Sequence, residues 1–222
     1  MSSSRDAGGA GEDAAVAAAE DVYVLPASFG QERFVALDHQ VPGNPTWNLP
    51  VRFRLQGALE PALLERAFNA IVERHEVLRT TLRVVDGQLA QVIAGALKIA
   101  VPVTDVRHLV QPERDAEVDR LSLEEARRRF DLAAGPLLRV GLLRVADEEH
   151  VLLVTPHHSM ADYWSIGLIS DELGALYDAY SRGLPSPLPE PALQYGDYAI
   201  WQREQADSAP VQSELAYWKE RL

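Results

Sequence analysis

No cysteine occurs anywhere in the 222 residues. That absence excludes disulfides, thiolate nucleophiles and Cys-ligated zinc or iron–sulfur sites. Positive charge is scarce as well: 21 Lys and Arg against 33 Asp and Glu leave a formal charge of −12. A general nucleic-acid binder needs a basic footprint for phosphates, so that class is disfavoured. The basic run Arg127-Arg128-Arg129 sits in a helical pattern among acids and reads as a solvated face. No window approaches 18 uninterrupted apolar residues, so no membrane-spanning helix is expected. The N-terminus lacks a basic segment followed by an apolar one, so no secretory signal is expected and a cytoplasmic location is. The chain also lacks a Walker loop, a Gly-x-Gly-x-x-Gly turn and a Gly-x-Ser-x-Gly elbow. Nucleotide binding and serine-hydrolase chemistry therefore have no motif behind them.

What is present is a mixed α/β pattern with no internal repeat. Residues 1–21 are Ser, Gly, Ala and acid without sustained apolar spacing, and read as a disordered leader or interdomain linker. Order is expected from Val22, and Ser28 is placed to cap a helix from Phe29 to about Asp38, with Phe34, Val35 and Leu37 inward. Residues 48–56 alternate Val51, Phe53 and Leu55 with Arg52 and Arg54, as a half-buried strand does. Pro61 suits the first position of a helix whose Leu64, Phe68, Ile71 and His75 share one face. Strands over 78–85 and 88–93 flank Asp86-Gly87, a strong hairpin signal. A short strand over 99–104, a charged helix from Pro112 to about Phe130, and strands over 137–145 and 150–156 follow. Val151-Leu152-Leu153-Val154 is continuously apolar, as a strand covered on both faces would be. Ile166, Ile169, Leu173, Leu176 and Tyr180 trace a helical stripe, residues 183–191 hold four prolines, and helical patterns over 194–206 and 211–221 close the chain.

Chemistry concentrates at residues 156–165, Pro-His-His-Ser-Met-Ala-Asp-Tyr-Trp-Ser, where the apolar run stops and the helical stripe begins. Strand-to-helix junctions hold side chains rigidly while leaving them access to a cavity. Adjacent residues of an extended segment point to opposite sides, so His157 and His158 should differ, one facing core and the other a cavity. Asp162 is placed to cap the following helix through the amide of Trp164 or Ser165. Three readings are open on pattern alone. The pair could be a core His beside an exposed His, with a capping Asp. A His and an Asp four apart could chelate a metal, although the other His residues show no ligand spacing. His158 could instead be a general base whose geometry His157 and Asp162 fix.

Those residues do not stand alone. His157-His158-Ser159-Met160-Ala161-Asp162 resembles the two-His, three-residue, Asp hallmark of condensation domains of nonribosomal peptide synthetases, relatives of chloramphenicol acetyltransferase. The stretches Arg74-His75-Glu76-Val77-Leu78-Arg79-Thr80, Ser28-Phe29-Gly30-Gln31-Glu32-Arg33 and Tyr195-Gly196-Asp197-Tyr198-Ala199-Ile200-Trp201-Gln202 resemble further motifs of that family, in order and at sensible spacing. The resemblance covers about residues 22–222. It implies a chloramphenicol acetyltransferase-like α/β lobe with a mixed, largely antiparallel sheet flanked by helices. The lobe would occupy 22–182, with a Pro-rich crossing segment at 183–193 and a helical end at 194–222.

By resemblance the complete domain joins a carrier-bound acyl or peptidyl thioester to the amine of a carrier-bound aminoacyl acceptor. Donor and acceptor peptidyl carrier proteins are the implied partners. Their phosphopantetheine arms are the implied cofactors, with none bound directly and no metal. His158 carries over as the catalytic residue, as base or as orienting group, and His157, Asp162 and Arg79 carry over as structural support. Asp162 would hold its loop through an ion pair. The residues after the motif resemble peptide-bond-forming members: Ile166-Gly167 stands where epimerising relatives have Trp-Arg, and the first His is not the Asp of cyclising ones.

Two departures shape the expectation. Tyr163 replaces the family's Gly after Asp162, adding a ring that either gates the tunnel or turns into the core. The chain matches the first of two lobes, so a C-terminal lobe is the expected missing partner, and the isolated lobe is expected to self-associate through an exposed apolar face and to be inactive alone. Two other functions are compatible with the same residues: a non-catalytic module that docks a carrier protein or enzyme, and a free-standing coenzyme A-dependent acyltransferase.

Overall fold

Capping and turn chemistry account for where most elements begin and end. The computed structural model describes residues 22–222; the leader expected over residues 1–21 lies outside the described residues. Strand β1 (Val22–Pro26) leads into helix α1 (Phe29–Gln40). Ser28 Oγ accepts the Gln31 amide at 3.1 Å while Gln31 Oε1 accepts the Ser28 amide at 3.0 Å. This reciprocal box satisfies two donors that the first helical turn would leave unpaired. Phe34, Val35 and Leu37 on α1 are half-buried. Strand β2 (Val51–Gln56) buries Val51, Phe53 and Leu55 partly and exposes Arg52 and Arg54, as the alternation required.

Helix α2 (Pro61–Arg74) starts on its proline and buries Leu64, Phe68 and Ile71. His75 is not on that face: its ψ of 98° makes it the C-cap, and Glu76–Arg79 form a 3-10 turn where the start of a strand was expected. Strands β3 (Thr80–Val85) and β4 (Gln88–Ala94) then pair across Asp86-Gly87, whose φ values of 50° and 79° are those the tight hairpin needs. Strand β5 is shorter and later than expected (Val103–Asp105), and helix α3 (Glu113–Arg127) ends before Arg128 and Arg129, which are exposed. Strands β6 (Leu138–Ala146) and β7 (Glu149–Pro156) form a second hairpin. Helix α4 (Tyr163–Ser181) closes on Gly183 at φ 70°: the Gly183 amide bonds Tyr180 O at 3.0 Å and the Leu184 amide bonds Ala179 O at 2.9 Å. The proline-rich stretch has no regular structure, and its Leu188 packs on the core. Helices α5 (Tyr195–Ala206) and α6 (Ala209–Arg221) complete the described chain.

Among the described residues the strands form two sheets. Four strands run in the order β2-β7-β6-β5 and three in the order β1-β4-β3; the β5–β6 pair is parallel and the other named pairs are antiparallel. Strand β7 is buried along nearly its whole length. One of its faces, through Leu152 and Val154, packs with α2 and α4; the other, through Val151 and Leu153, packs with Val118 of α3. A third apolar cluster (Leu82, Phe130, Leu132, Leu137 and Met160) lies between the two sheets, under the loop that follows β7.

Phe68 is fully buried in the main core. Phe68→Ala is expected to destabilise the chain by about 3–5 kcal/mol through lost transfer energy and a residual cavity. Val84→Ala, at a position two-thirds exposed, should change stability by less than about 0.5 kcal/mol. Denaturant-unfolding midpoints of the two variants check the pair.

Candidate active site at the end of β7

The register between β2 and β7 runs past the ends of both strands. Val51 faces Val154 within the sheet, and with the same register Asn48 bridges His157. The Leu49 amide bonds Pro156 O at 2.9 Å and the His158 amide bonds Trp47 O at 2.8 Å. His157 is still paired in extended geometry, while His158 enters the turn closed by the Met160 amide on His157 O at 2.9 Å. The His157 ring packs against Phe130, just beyond α3, and the His158 ring packs against Phe34 and Trp47.

His157 is 3% exposed, with the edges of Phe34 and Phe130 at centroid distances of 6.0 and 5.8 Å. Its Nδ1 accepts the Ser159 amide at 3.2 Å and lies 2.8 Å from Ser159 Oγ. An amide can only donate, so Nδ1 carries a lone pair and the proton is on Nε2. Burial pushes the His157 pKa down to about 4; Asp38 works weakly against this, and His158 and Arg139 weakly with it.

His158 is the opposite tautomer. Its Nδ1 lies 3.0 Å from the Ala161 carbonyl, which can only accept, so Nδ1 donates and Nε2 carries the lone pair. The half-buried ring stacks on Phe34 at 5.2 Å and 29°, with the Trp47 ring 6.4 Å away. One imidazole is thus folded into the structure as a neutral acceptor. The other is held by its Nδ1 side and presents a base.

Asp162 is exposed and caps α4. Its carboxylate accepts the Ser165 amide at 2.8 Å and the Ser165 hydroxyl at 2.7 Å, while its own amide donates to Ser165 Oγ at 3.2 Å. The Ser165 amide bond is the main cause of a carboxyl pKa held below the usual range. Among the described residues no basic side chain lies within ion-pair distance of Asp162. Of the two amides foreseen for the cap, Ser165 is used and Trp164 is not. Among the described residues no cluster of three His, Asp or Glu could hold a metal.

Tyr163 is the first residue of α4 and 72% exposed, so its ring does not turn into the core. Arg79 is mostly buried: its guanidinium donates to the Ala94 carbonyl and to Glu76 Oε1 at 3.2 Å. Those bonds tie the 3-10 turn to the end of β4 and do not involve the histidine pair. The stretch Arg74-His75-Glu76 is a joint. Glu172 of α4 takes Arg74 Nε at 3.0 Å and His75 Nε2 at 2.7 Å, and Gln194 bridges the Arg74 carbonyl and Glu76 amide. Trp47, Asn48, Glu172 and Gln194 carry no local sequence signal of a site, and Phe34 has only that of an inward-facing helix position. A 420 Å³ groove between β2 and α4, lined by Phe53, Leu55, Leu152, Ile169, Leu173 and Tyr177 among others, does not reach the pair.

A mixed-sheet lobe whose interior strand ends in a buried and a presented imidazole defines the chloramphenicol acetyltransferase-like class. Within that class the chain belongs to the condensation-domain family: the family model described as "Condensation domain" matches residues 20–222. The chain is 42% identical over 199 residues to chondramide synthase cmdD of Chondromyces crocatus, covering 90% of this chain and 5% of that protein. It is 39% identical over 203 residues to phosphinothricin tripeptide synthetase PhsC of Streptomyces viridochromogenes, covering 91% and 19%. The crystal structure of SgcC5 from Streptomyces globisporus is similar at a TM-score of 0.75 and 34% identity, over 89% of this chain and 46% of that one. The starter condensation domain of rhizomide synthetase RzmA shares the fold at a TM-score of 0.80 and 23% identity, over 90% and 48%. The chain thus spans about half the length of these solved structures and a small part of the synthetases. Among the described residues no helix is long and apolar enough to cross a membrane.

The two shifted groups act in separate pH windows. Above pH 6.5 His157 is neutral whether folded or not; from there down to about pH 4 the unfolded chain takes up a proton that the folded site refuses. Stability should fall across that window by up to about 3 kcal/mol, from a shift converted at 1.36 kcal/mol per unit. Asp162 acts in the same direction at lower pH: its contribution is full above its ordinary 3.8 and is lost as the pH falls through its lowered folded value. Denaturant midpoints at pH 7 and 4.5 should separate more for the wild type than for His157→Gln; equal separations would contradict the assignment. Asp162→Ala is expected to cost about 1 kcal/mol at pH 7 through the lost cap.

Proposed function

We propose that this sequence is the histidine-bearing lobe of an amide-forming condensation domain of a nonribosomal peptide synthetase. The observation that carries the reading is the His158 tautomer: Nδ1 is tied to Ala161 O, leaving the Nε2 lone pair as the available acceptor of a half-buried ring. The relatives named as chondramide synthase and phosphinothricin tripeptide synthetase supply the substrate class.

In the complete domain an amine on an acceptor carrier protein attacks the thioester carbonyl of an acyl or peptidyl group on a donor carrier protein. The C–N bond forms and the C–S bond breaks. The amine gives up one proton, and the departing sulfur takes one up as a thiol. His158 Nε2 accepts the hydrogen bond or the proton of the attacking amine, orienting its lone pair toward the carbonyl. The phosphopantetheine arms are the carriers' own, and the lobe holds no cofactor or metal. His157 and Asp162 act by shaping the loop, and Arg79 by fixing the turn behind it. Tyr163, exposed beside the loop, stands at the acceptor entrance as a gate. A second lobe closes the tunnel, and the exposed Trp164, Leu168, Trp201 and Trp218 offer apolar surface for it.

With both lobes and loaded carriers, His158→Ala should lower amide formation by about 10²–10⁴-fold. Unchanged turnover would remove the catalytic role and leave a docking module, whereas turnover with coenzyme A thioesters and no carrier would favour a free-standing acyltransferase. Tyr163→Gly should lower KM for bulky acceptor amines; an unchanged KM would remove the gate. The isolated 222-residue chain should associate with rising concentration in light scattering, and a monodisperse monomer at high concentration would count against a second lobe on that surface.

A further inference from the structure

Asn48 is buried and has its carboxamide on the α3 side of the sheet, where no substrate chemistry is proposed. Its Nδ2 donates to Ala126 O at 2.7 Å and to Arg128 O at 2.9 Å. These carbonyls lie at the C-terminal end of α3, where helix geometry leaves acceptors without intrahelical partners. Arg139 of β6 reinforces the joint: it donates to Glu125 O at 3.2 Å and Arg128 O at 2.9 Å, and its guanidinium covers Phe130 at 3.6 Å. Phe130 in turn packs against His157.

The backbone around Asn48 works on the other side of the sheet. Residues 47–49 continue the pairing of β2 with β7 beyond Pro50. Pro156, opposite Leu49, has no amide hydrogen to return, so the bonds from the Leu49 and His158 amides join the extension to β7. Trp47 supplies the carbonyl that takes the His158 amide and a ring that meets Phe34 at 5.2 Å, while Phe34 stacks on His158. Two backbone bonds join the segment to β7 and the Asn48 amide ties it to Pro45 O at 3.0 Å within its own loop, so the Asn48 carboxamide is the side-chain anchor that holds it to a further element.

We propose that Asn48 is the positioning residue for His158: by clamping the end of α3 it fixes the 47–49 segment, and with it the Trp47 carbonyl and aromatic pair that hold the His158 ring. The inference rests on the catalytic reading of His158 and goes further in assigning the origin of its orientation. Asn48 touches neither substrate nor the reacting atoms. Misplacement of a reacting group by about 1 Å can lower a rate about 10²-fold, so a loosened clamp acts on turnover more than on substrate binding.

The test uses the complete two-lobe domain with loaded carriers, comparing wild type, His158→Ala, Asn48→Ala and Asn48→Asp; the last is nearly isosteric but cannot donate. For both Asn48 variants kcat per folded molecule should fall about 10–100-fold with KM for donor and acceptor within about threefold. The ¹⁵N signature of the His158 ring should move from a fixed Nδ1–H tautomer toward a mixture. A purely structural role would lower the folded fraction and leave kcat per folded molecule and the ring signature unchanged, and that result overturns the proposal. His158→Ala separates the two levels: if it stays active, the catalytic reading has failed, and if it is inactive while the Asn48 variants are normal, this inference alone has failed. Should Asn48→Ala and Asn48→Asp not fold, Asn48→Ser carries the same readouts. In the wild type the Asn48 carboxamide protons should exchange slowly with solvent, and fast exchange would overturn the clamp.

Discussion

The pairing of residues 47–56 with residues 149–158 is the constraint on which the rest depends. Inside the sheet it fills the edge beside β7 and gives Leu152 and Val154 a neighbour on the α2/α4 side. Beyond the sheet the same register continues through the Leu49 and His158 amide bonds and holds His157 opposite Asn48. Because side-chain direction alternates strictly along an extended chain, a slip of one residue would exchange the two histidines between faces. The buried one would then be asked to act, and the presented one to live in the core. The division of labour in the pair is therefore a consequence of strand register before it is a matter of local hydrogen bonds.

Hydrogen bonding then turns two identical side chains into different chemical species. His157 meets an amide donor and must accept, and burial keeps it neutral well below the usual imidazole range. His158 meets a carbonyl and must donate, which places its lone pair on the far nitrogen. Asp162 is spent on the N-terminus of α4, where its amide and carboxylate close a reciprocal cap with Ser165. The side chains of His157, His158 and Asp162 all bond partners within the loop or the first turn of α4. That local closure leaves the aromatic packing of Phe34 and Trp47 to hold the ring that must stay presented.

Much of this was legible in the residues. Ser28 as a cap, the Asp86-Gly87 hairpin, the double-sided burial of β7 and the Asp162 cap follow from local rules, since each depends on partners a few residues away. The misses have the same logic in reverse. His75 carries the helical spacing but leaves the helix as its cap and bonds Glu172, 97 positions later. The strand expected from residue 78 starts at Thr80, because a 3-10 turn anchored by Arg79 to the Ala94 carbonyl takes the first positions. The mixed, largely antiparallel strand pairing is as expected, and its division into two sheets is decided by tertiary packing, since alternation reports which face is buried and says nothing of which sheet a strand joins. Phe34, Trp47 and Asn48 sit in an ordinary helix and loop; the register across the β2–β7 pair brings Trp47 and Asn48 to the histidines, and the packing of α1 brings Phe34.

What the sequence by itself determined was the class of lobe, the motif and the opposed directions of its two histidines. Those depend on short-range periodicity, capping and turn geometry, which neighbouring residues encode. The tertiary structure alone decided which histidine is buried, which nitrogen of each carries the proton, that Tyr163 stands outside the core, and that Asn48 ties the end of α3 to the site. Each of these depends on an acceptor, a ring or a carbonyl whose position the fold as a whole sets. No local pattern of amino acids records that such a partner will arrive, or from which side.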